Sequence, residues 1–282
     1  MAMKSSNLPT VSLIITTYNQ PQVLRLVLES ALDQVLMPLE IIIADDGSKD
    51  ETANMIKDVA SRSPIPIIHA WQPDQGFRAA RSRNNGIAAS KGEYLIFLDG
   101  DCFLNRYFIQ DHITLAKENL YLIGTRVNIT RKRQDYILET GNRRISFFSW
   151  GTRKKFNAIR SAWLAGFYHR TGGMASANFS LWRHDILAVN GFDERFEGHG
   201  GEDVEIGKRL DHLGLVRRRM THLGMAYHFA HTDNARGDRQ MIRDIINETV
   251  AEKRVRTPFG LERAMQKNDY EIRIYGAAKE AE

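Results

Sequence analysis

The first hundred residues alternate between two hydrophobic patterns, and this alternation constrains the fold more than any other feature of the sequence. Short runs of β-branched and bulky residues, typical of buried strands, recur at 11–16, 40–44, 67–71 and 94–98. Between these runs, apolar residues at three- and four-residue spacing predict helices at 21–35, 48–60 and 78–89. Strand and helix in strict alternation predict an α/β fold, with a mostly parallel sheet flanked by helices.

Composition excludes several classes of protein. The chain has 282 residues, of which 43% are hydrophobic and 9% aromatic, so it can bury a sizeable core and is not disordered. Its single cysteine excludes an internal disulfide and any multi-cysteine metal site. No apolar run approaches the roughly 20 residues that a membrane-spanning helix needs, and the first ten residues lack an apolar secretion signal. We therefore expect a cytoplasmic protein.

The positive charge is concentrated in one segment. The net charge is +5, yet residues 126–170 hold eleven Arg and Lys against two acidic residues. Aromatic residues are interleaved with them, including Phe147, Phe148 and Trp150. Two interpretations stay open: a solvated insertion, or contact with an acidic glycan or with the anionic inner face of the cell membrane.

Polar residues follow three of the predicted strands. They form the segments 16–19 (TTYN), 45–48 (DDGS) and 99–101 (DGD). Each segment alone is an ordinary turn or cap, because Asp and Asn favour such positions. In an open parallel sheet, however, ligands bind beyond the carboxyl ends of the strands, so three such segments on one edge indicate a binding site.

These segments carry chemistry suited to a nucleotide. Asp99 and Asp101 can face one divalent cation, with Gly100 letting the backbone bend, and such a cation can neutralise a diphosphate. The ring of Tyr18 offers a flat surface for a base, and Thr16 and Asp46 offer hydrogen bonds to its edge. Downstream, Arg78, Arg81 and Arg83 suit phosphate oxygens, although three arginines within six residues cannot all point inward.

A second cluster of polar residues lies near the start of a helix predicted over 202–213. Glu202 and Asp203 follow a run of glycines, and they are either first-turn acids or, in the functional interpretation, include a base at Asp203 that accepts a proton from a substrate hydroxyl. His228 and His231 come later, and either imidazole could complete a metal site. A further amphipathic helix is predicted over 239–255.

At these residues the chain resembles the family 2 glycosyltransferases of the GT-A fold. The resemblance rests on the segments VSLIITTYN, IIIADDGSKDET and GFRAARSRNNGIAASKGEYLIFLDGDC. The later segment NGFDERFEGHGGEDVEIGKRL is similar to the acceptor side of β-1,4-galactosyltransferases and bacterial chondroitin-type polymerases. Together these segments cover roughly residues 9–232, and their order and spacing are far more specific than one Asp-x-Asp.

The resemblance implies a role for each of these residues. It implies UDP-sugar binding by Thr16, Tyr18, Asp46, Arg78, Asp99 and Gly100. It makes Asp99-Gly100-Asp101 the DXD motif, which holds Mn²⁺ or Mg²⁺ with His228, or with His231 as the second choice. Glu202 would contact the acceptor and Asp203 would be the catalytic base. Where galactosyltransferases carry a tryptophan before Gly-Gly-Glu-Asp, this chain has His199, so the donor sugar stays open.

The resemblance also implies an organisation and a reaction. We expect a nucleotide-sugar-binding half at 1–125, a basic aromatic insertion at 126–170, an acceptor and catalytic half at 171–238 and a C-terminal helical tail at 239–282. The expected reaction is the metal-dependent, inverting transfer of a hexose or N-acetylhexosamine from a UDP-sugar to a glycan or glycolipid, in bacterial polysaccharide or lipopolysaccharide biosynthesis. One alternative is a sugar-nucleotide pyrophosphorylase, but this chain lacks the glycine-rich loop that such an enzyme would carry after the first strand. The other alternative is a basic nucleic-acid-binding module. We expect no nucleic-acid partner.

Overall fold

The structure is a computed structural model that describes residues 8–145, 149–152, 159–167, 177–230, 237–266 and 269–276. Its strands are β1 (Val11–Thr17), β2 (Glu40–Asp45), β3 (Ile67–Trp71), β4 (Tyr94–Asp99), β5 (Cys102–Leu104), β6 (Leu120–Ile123), β7 (Thr125–Asn128), β8 (Asn178–Trp182), β9 (Val216–Arg219), β10 (Met225–His228) and β11 (Glu271–Tyr275). Its helices are α1 (Pro21–Ala31), α2 (Asp50–Ala60), α3 (Ala79–Ala89), α4 (Phe108–Leu115), α5 (Arg131–Thr140), α6 (Ala162–Phe167), α7 (Arg183–Ala188), α8 (Glu202–His212), α9 (Arg239–Ala251) and α10 (Glu262–Gln266).

The strands form two sheets. The large sheet has eight strands in the order β11-β3-β2-β1-β4-β8-β6-β9. Its centre, β3-β2-β1-β4, is parallel throughout, while β11 and β8 run antiparallel to their neighbours. The small sheet has the order β5-β10-β7 and lies beside the end of β4, because β5 begins three residues after β4 ends. The predicted α/β fold with a mostly parallel sheet is confirmed.

The core has a layer on each face of the large sheet. Along β1, Leu13 and Ile15 pack into the layer that contains residues of α1 and α2, whereas Ile14 packs into the layer that contains residues of α3 and α8. Burial on both faces is why the strands appear as continuous apolar runs in the sequence. The α3 helix lies especially close to β1, since a Cβ at Gly86 would come within 2.8 Å of the Ile14 side chain.

Three boundaries differ from the sequence prediction by two residues or more, one of them in the helix predicted over 239–255, which ends at Ala251. The first helix ends at Ala31 rather than near residue 35. The second begins at Asp50 without a side-chain cap, because the Ser48 hydroxyl accepts the backbone N–H of Asn19 at 2.8 Å and is therefore turned towards the end of β1.

The C-terminal segment is not purely helical. Residues 239–276 contain α9 and α10 as expected for a helical tail, and then β11, which the sequence analysis did not predict. This strand pairs with β3 and extends the large sheet by one strand. Ile272 and Ile274 of β11 remain largely exposed, so the strand lacks the continuous burial by which β1 to β4 were predicted.

Part of the basic segment is held by contacts within the protein. Arg143 pairs with Glu29 and Arg160 pairs with Asp111, each at 2.6 Å, and Arg133 stacks on the ring of Trp150. Phe147, Phe148 and residues 153–158 and 168–170 lie outside the described residues. Among the described residues, no helix combines the length and the apolarity that crossing a bilayer requires.

Candidate active site

The ends of β1 and β4 meet at the centre of the sheet edge. The register of the two strands places Thr16 beside Asp99, and the Thr16 hydroxyl donates a hydrogen bond to the Asp99 carboxylate at 3.2 Å. The next residue must be glycine, because a Cβ at Gly100 would lie 2.2 Å from the Thr16 carbonyl oxygen. This close approach fixes the direction in which the chain leaves β4 and so places Asp101.

A cavity of about 530 Å³ opens at this edge of the sheet. It draws together residues that are almost two hundred positions apart in the sequence. Eight of the predicted site residues line it: Thr16, Tyr18, Asp46, Asp99, Gly100, Asp101, Glu202 and Asp203. The same cavity is lined by Phe77, Arg83, Arg126 and His199, which the predicted site did not include. Arg78 and His228 are not part of this lining.

Asp46 is a buried carboxylate at the end of β2. It accepts hydrogen bonds from the Gln72 side chain and from the backbone N–H of Arg78, both at 2.6 Å. Burial raises the pKa of Asp46 to about 6, although both hydrogen bonds act in the opposite direction. The guanidinium of Arg78 is bound to Gln75 and to the Pro73 carbonyl, so Arg78 acts on the site through its backbone.

A chain of hydrogen bonds supports Asp46 from behind. The side-chain NH₂ group of Asn85 in α3 donates to Oε1 of Gln72 at 2.8 Å, and Arg263 of α10 donates to Oδ1 of Asn85 at 2.8 Å. Arg263 itself is held by Glu194 and Asp269. The C-terminal segment therefore reaches the carboxylate that faces the cavity through two fully buried amides, those of Asn85 and Gln72.

Tyr18 lies near this carboxylate and is 44% exposed as a residue. Its hydroxyl donates to Asp74 at 2.8 Å, and this hydrogen bond raises the pKa of the Tyr18 phenol. A ring that is held at its tip and open on its face can stack on a planar ligand.

Arg83 is the site residue that the sequence analysis left among three arginines. Its side chain is 95% buried, and its two terminal nitrogens donate to Asp99 at 3.1 Å and to Glu202 at 3.0 Å. Burial alone would lower the pKa of the guanidinium, but Asp99 and Glu202 together raise it. Arg83 thus links the end of β4 to the start of α8. The third arginine, Arg81, pairs with Asp269 and lies outside the cavity lining.

The start of α8 presents two carboxylates to the cavity. Gly201, with φ +99°, makes the turn into the helix, and a Cβ there would meet Ile242 at 2.6 Å. Burial and the neighbouring Glu202 raise the pKa of Asp203, while the backbone N–H of Val204 donates to its carboxylate at 2.7 Å. The second carboxylate oxygen of Glu202 is buried without a partner among the described residues. Such an oxygen is costly unless a ligand donates to it.

A buried ion pair anchors this helix. Arg209 and Glu205, both fully buried, form two hydrogen bonds at 2.7 Å across one helical turn. Arg209 also donates to the carbonyls of Val189 and Gly191, and the Thr249 hydroxyl of α9 donates to Glu205. These buried contacts fix the first turn of α8 and so keep Glu202 and Asp203 in place.

Three potential metal ligands cluster around Asp101, which lines the cavity. Ligand atoms of Asp101, Cys102 and His228 all lie within 4.8 Å of one another. Asp99, which the sequence analysis placed among the ligands, is not part of this cluster and accepts hydrogen bonds from Thr16 and Arg83. The alternative ligand His231 lies outside the described residues. A carboxylate with an imidazole and a thiol is a donor set that suits a first-row divalent ion, and burial, with Asp101 and Asp99, raises the pKa of the Cys102 thiol.

His199 occupies the position where the resemblance suggested a tryptophan. It lines the cavity and meets the ring of Phe77 edge-on, with ring centroids 5.7 Å apart. The two rings form an aromatic corner between α3 and α8. No pattern in the sequence singled out Phe77, because an aromatic residue before a helix is more often part of the core.

Sequence comparisons give relatives with related activities. Residues 160–232 match the model described as the N-terminal domain of galactosyltransferase. The hyaluronan synthase of Pasteurella multocida is 27% identical over 77% of this chain, and the chondroitin synthase of Escherichia coli is 28% identical over 77%. The validoxylamine A glucosyltransferase of Streptomyces hygroscopicus subsp. limoneus is 28% identical over 75%. The chain spans only 24%, 34% and 50% of these three relatives.

Solved structures show the same fold. A crystal structure of GalNAc-T7 with UDP, GalNAc and Mn²⁺ superposes with a TM-score of 0.64 over 86% of this chain and 48% of that one, at 15% identity. The mannosyltransferase PcManGT from Pyrobaculum calidifontis, in complex with GDP-Man and Mn²⁺, gives a TM-score of 0.53 over 79% of this chain and 57% of that one, at 17% identity. The model for glycosyl transferase family 2 matches residues 12–184. The chain belongs to glycosyl transferase family 2.

Proposed function

We propose that this chain is a metal-dependent, inverting hexosyltransferase. It moves a hexose or N-acetylhexosamine from a UDP-sugar to a hydroxyl of a glycan or lipid-linked acceptor, in bacterial polysaccharide or lipopolysaccharide biosynthesis. One observation carries the proposal: a single cavity is lined both by Tyr18, Asp46 and Asp101 and by the carboxylates of Glu202 and Asp203. The first group suits a nucleotide diphosphate and the second a hydroxyl that must lose a proton.

The donor would be held by its two ends. The uracil ring stacks on Tyr18, and its imide N–H donates to the ionised carboxylate of Asp46, with Thr16 beside it. Asp101 and His228 would hold Mn²⁺ or Mg²⁺, which supplies positive charge to the departing diphosphate. Arg126 lines the cavity and adds a second positive charge to it.

The acceptor would be activated by α8. The partnerless oxygen of Glu202 accepts a hydrogen bond from the acceptor and orients it. Asp203 takes the proton from the attacking hydroxyl as the acceptor oxygen bonds to the anomeric carbon and the bond from that carbon to the phosphate oxygen breaks. Its raised pKa brings the carboxylate closer to the working pH of a general base. Because this is one displacement, the anomeric configuration inverts and no enzyme nucleophile is needed.

Exposed aromatic residues within the basic segment support a role for this segment in bringing the enzyme to its acceptor. Trp150 and Trp163 are 50% and 72% exposed. As part of the proposal, the segment 126–170 brings the enzyme to an anionic membrane at the cytoplasmic face, where lipid-linked acceptors lie. Co-sedimentation with vesicles that contain anionic lipid, and not with neutral vesicles, would support this. Retention by an acidic glycan alone would favour a soluble acceptor.

The decisive experiment separates donor binding from chemistry. We expect Asp203→Asn to lower the turnover number by about 10²–10⁴-fold, the usual contribution of a positioned base. Donor affinity, measured by calorimetry with UDP and Mn²⁺, should stay within about threefold of the parent because Asp203 lies at the acceptor side. Glu197→Gln is the matched control, since Glu197 is exposed on the loop that precedes α8 and does not line the cavity.

The outcomes are distinct. Equal loss of UDP binding and transfer would remove Asp203 from the role of base. Release of UDP should first be screened with Mn²⁺ and the UDP derivatives of galactose, glucose and their N-acetyl forms, which identifies the donor. The absence of release with every donor would contradict a UDP-sugar transferase.

A further inference from the structure

The small sheet places a cysteine directly beside a histidine at the metal side of the cavity. In β5-β10-β7, Cys102 pairs with His228, and His228 pairs with Asn128. Residues directly opposite in neighbouring strands project from the same face, with Cβ atoms about 4.5–5.5 Å apart. The thiol, the imidazole and an amide therefore form a row across three strands. This arrangement follows from strand register and not from a flexible loop.

Asp101 joins the two members of the row that can bind metal most strongly. Its carboxylate oxygens lie 3.3 Å from the Cys102 sulfur and 3.3 Å from Nε2 of His228. The ligand atoms of all three residues lie within 4.8 Å of one another. Ligands of one tetrahedral ion, with bonds of about 2.0–2.3 Å, stand about 3.5 Å apart. The three side chains thus need only small rotations to share one ion.

We propose that Cys102 is a direct ligand of the divalent cation, together with Asp101 and His228, and that its sulfur makes this centre prefer thiophilic ions. The proposal rests on the proposed function, because the ion is the one that faces the donor diphosphate. It assigns the ligand role to Cys102 where the DXD pattern alone would assign it to Asp99. Asp99 is instead engaged by Arg83 and Thr16.

The consequence is a definite order of metal preference. Carboxylate-rich centres suit Mg²⁺, whereas a thiolate with an imidazole favours Co²⁺ and Zn²⁺. When the ion binds, a sulfur–metal bond replaces the S–H bond and the proton passes to solvent, without any change of oxidation state. The competing interpretation is that Cys102, which is fully buried in the core, only fills space.

Cobalt provides a direct spectroscopic test on the full chain. A thiolate bound to Co²⁺ gives an intense charge-transfer absorption in the near ultraviolet, and Cys102 is the single cysteine of the sequence. We expect this band to appear with one equivalent of Co²⁺ in the presence of UDP. Cys102→Ser should abolish the band and weaken Co²⁺ binding at least tenfold, while Mg²⁺ binding changes by less than about threefold.

Further variants keep the test decisive if Cys102→Ser folds poorly. His228→Ala retains the thiol but removes its partner, so it should weaken Co²⁺ binding and shift the band. His184→Ala is the matched control, because that imidazole is exposed on α7 and should leave both unchanged.

Each result points one way. Calorimetric Co²⁺ binding without the band in the parent protein would overturn the ligand role of Cys102 while leaving the transferase proposal intact. An equal preference for Mg²⁺ and Co²⁺ in the parent would overturn it as well. If neither Mn²⁺ nor Co²⁺ binds with UDP, the metal-dependent function itself fails.

Discussion

Removing the Arg83 guanidinium should be among the most costly single changes in this protein. Arg83→Met keeps the methylene part of the side chain and deletes the guanidinium, which bonds Asp99 and Glu202 and lies over the ring of Phe192, 5.4 Å from its centroid. The two carboxylates then remain where they are without their counter-ion. Since they belong to β4 and α8, the change also releases the contact between the two sides of the cavity.

The magnitude follows from how far each carboxylate can reach solvent. Breaking a buried ion pair by removing one partner costs about 3–5 kcal/mol, because the other charge is left uncompensated. The Glu202 side chain is only 11% exposed, so it bears most of this penalty, whereas Asp99 is 31% exposed and can be hydrated. We therefore expect a loss of about 3–4 kcal/mol in the free energy of unfolding for Arg83→Met. Arg83→Lys, which can contact one carboxylate but not both, should lose about 1–3 kcal/mol.

Denaturant unfolding of single and double variants measures this directly. Adding Glu202→Gln to Arg83→Met should restore about 1–2 kcal/mol, since it removes the buried charge. Adding Asp99→Asn should restore less, because Asp99 is better hydrated. A loss below about 1 kcal/mol for Arg83→Met, or a larger rescue by Asp99→Asn than by Glu202→Gln, would refute the reasoning.

Three further predictions concern donor binding. The affinity for UDP should fall as the pH drops through about 6, because Asp46 must be ionised to accept the uracil N–H and burial raises its pKa to about 6. Gln72→Leu should move the midpoint of this pH dependence upward, since the Gln72 hydrogen bond lowers the pKa of Asp46. A midpoint that the substitution leaves unchanged would contradict the role of Asp46. Arg126→Gln should weaken the binding of UDP about tenfold and that of UMP hardly at all, because a charge-assisted bond to the second phosphate is lost. Calorimetry with Arg131→Gln as the control checks this prediction. Equal losses of affinity for both nucleotides would argue against it. Asp101→Ala should weaken UDP only when Mn²⁺ is present, so a loss that persists in a chelator would count against a metal ligand at this position.

Much of the fold could be predicted because its strands are buried on both faces. Doubly buried strands appear as continuous apolar runs, and β3 was located to the residue. The small sheet was not predicted because β5 and β7 are only three and four residues long, which is too short for a recognisable hydrophobic pattern. The strand β11 was not predicted because its residues Ile272 and Ile274 are exposed.

The site could be predicted only as far as strand ends reveal it. Thr16, Asp46 and Asp99 follow apolar runs, and the rule for parallel sheets brings them together. Which of three neighbouring arginines turns inward depends on carboxylates elsewhere in the chain: Arg83 finds Asp99 and Glu202, whereas Arg81 finds Asp269. Such partners are separated by up to 188 positions, so local sequence cannot identify them.

The chain of hydrogen bonds that ends at Asp46 has a fixed donor-to-acceptor order, and this order is set by Arg263, which lies outside the cavity lining. Arginine has no acceptor, so Arg263 obliges Asn85 to offer its oxygen and to send its NH₂ group to Gln72. Gln72 must then turn its own NH₂ group to Asp46. A catalytic module excised at residue 238 would keep every residue that lines the cavity and lose Arg263, the donor that sets this polarity. The boundary of a catalytic module taken from this chain therefore belongs after β11, and not after the last residue that lines the cavity.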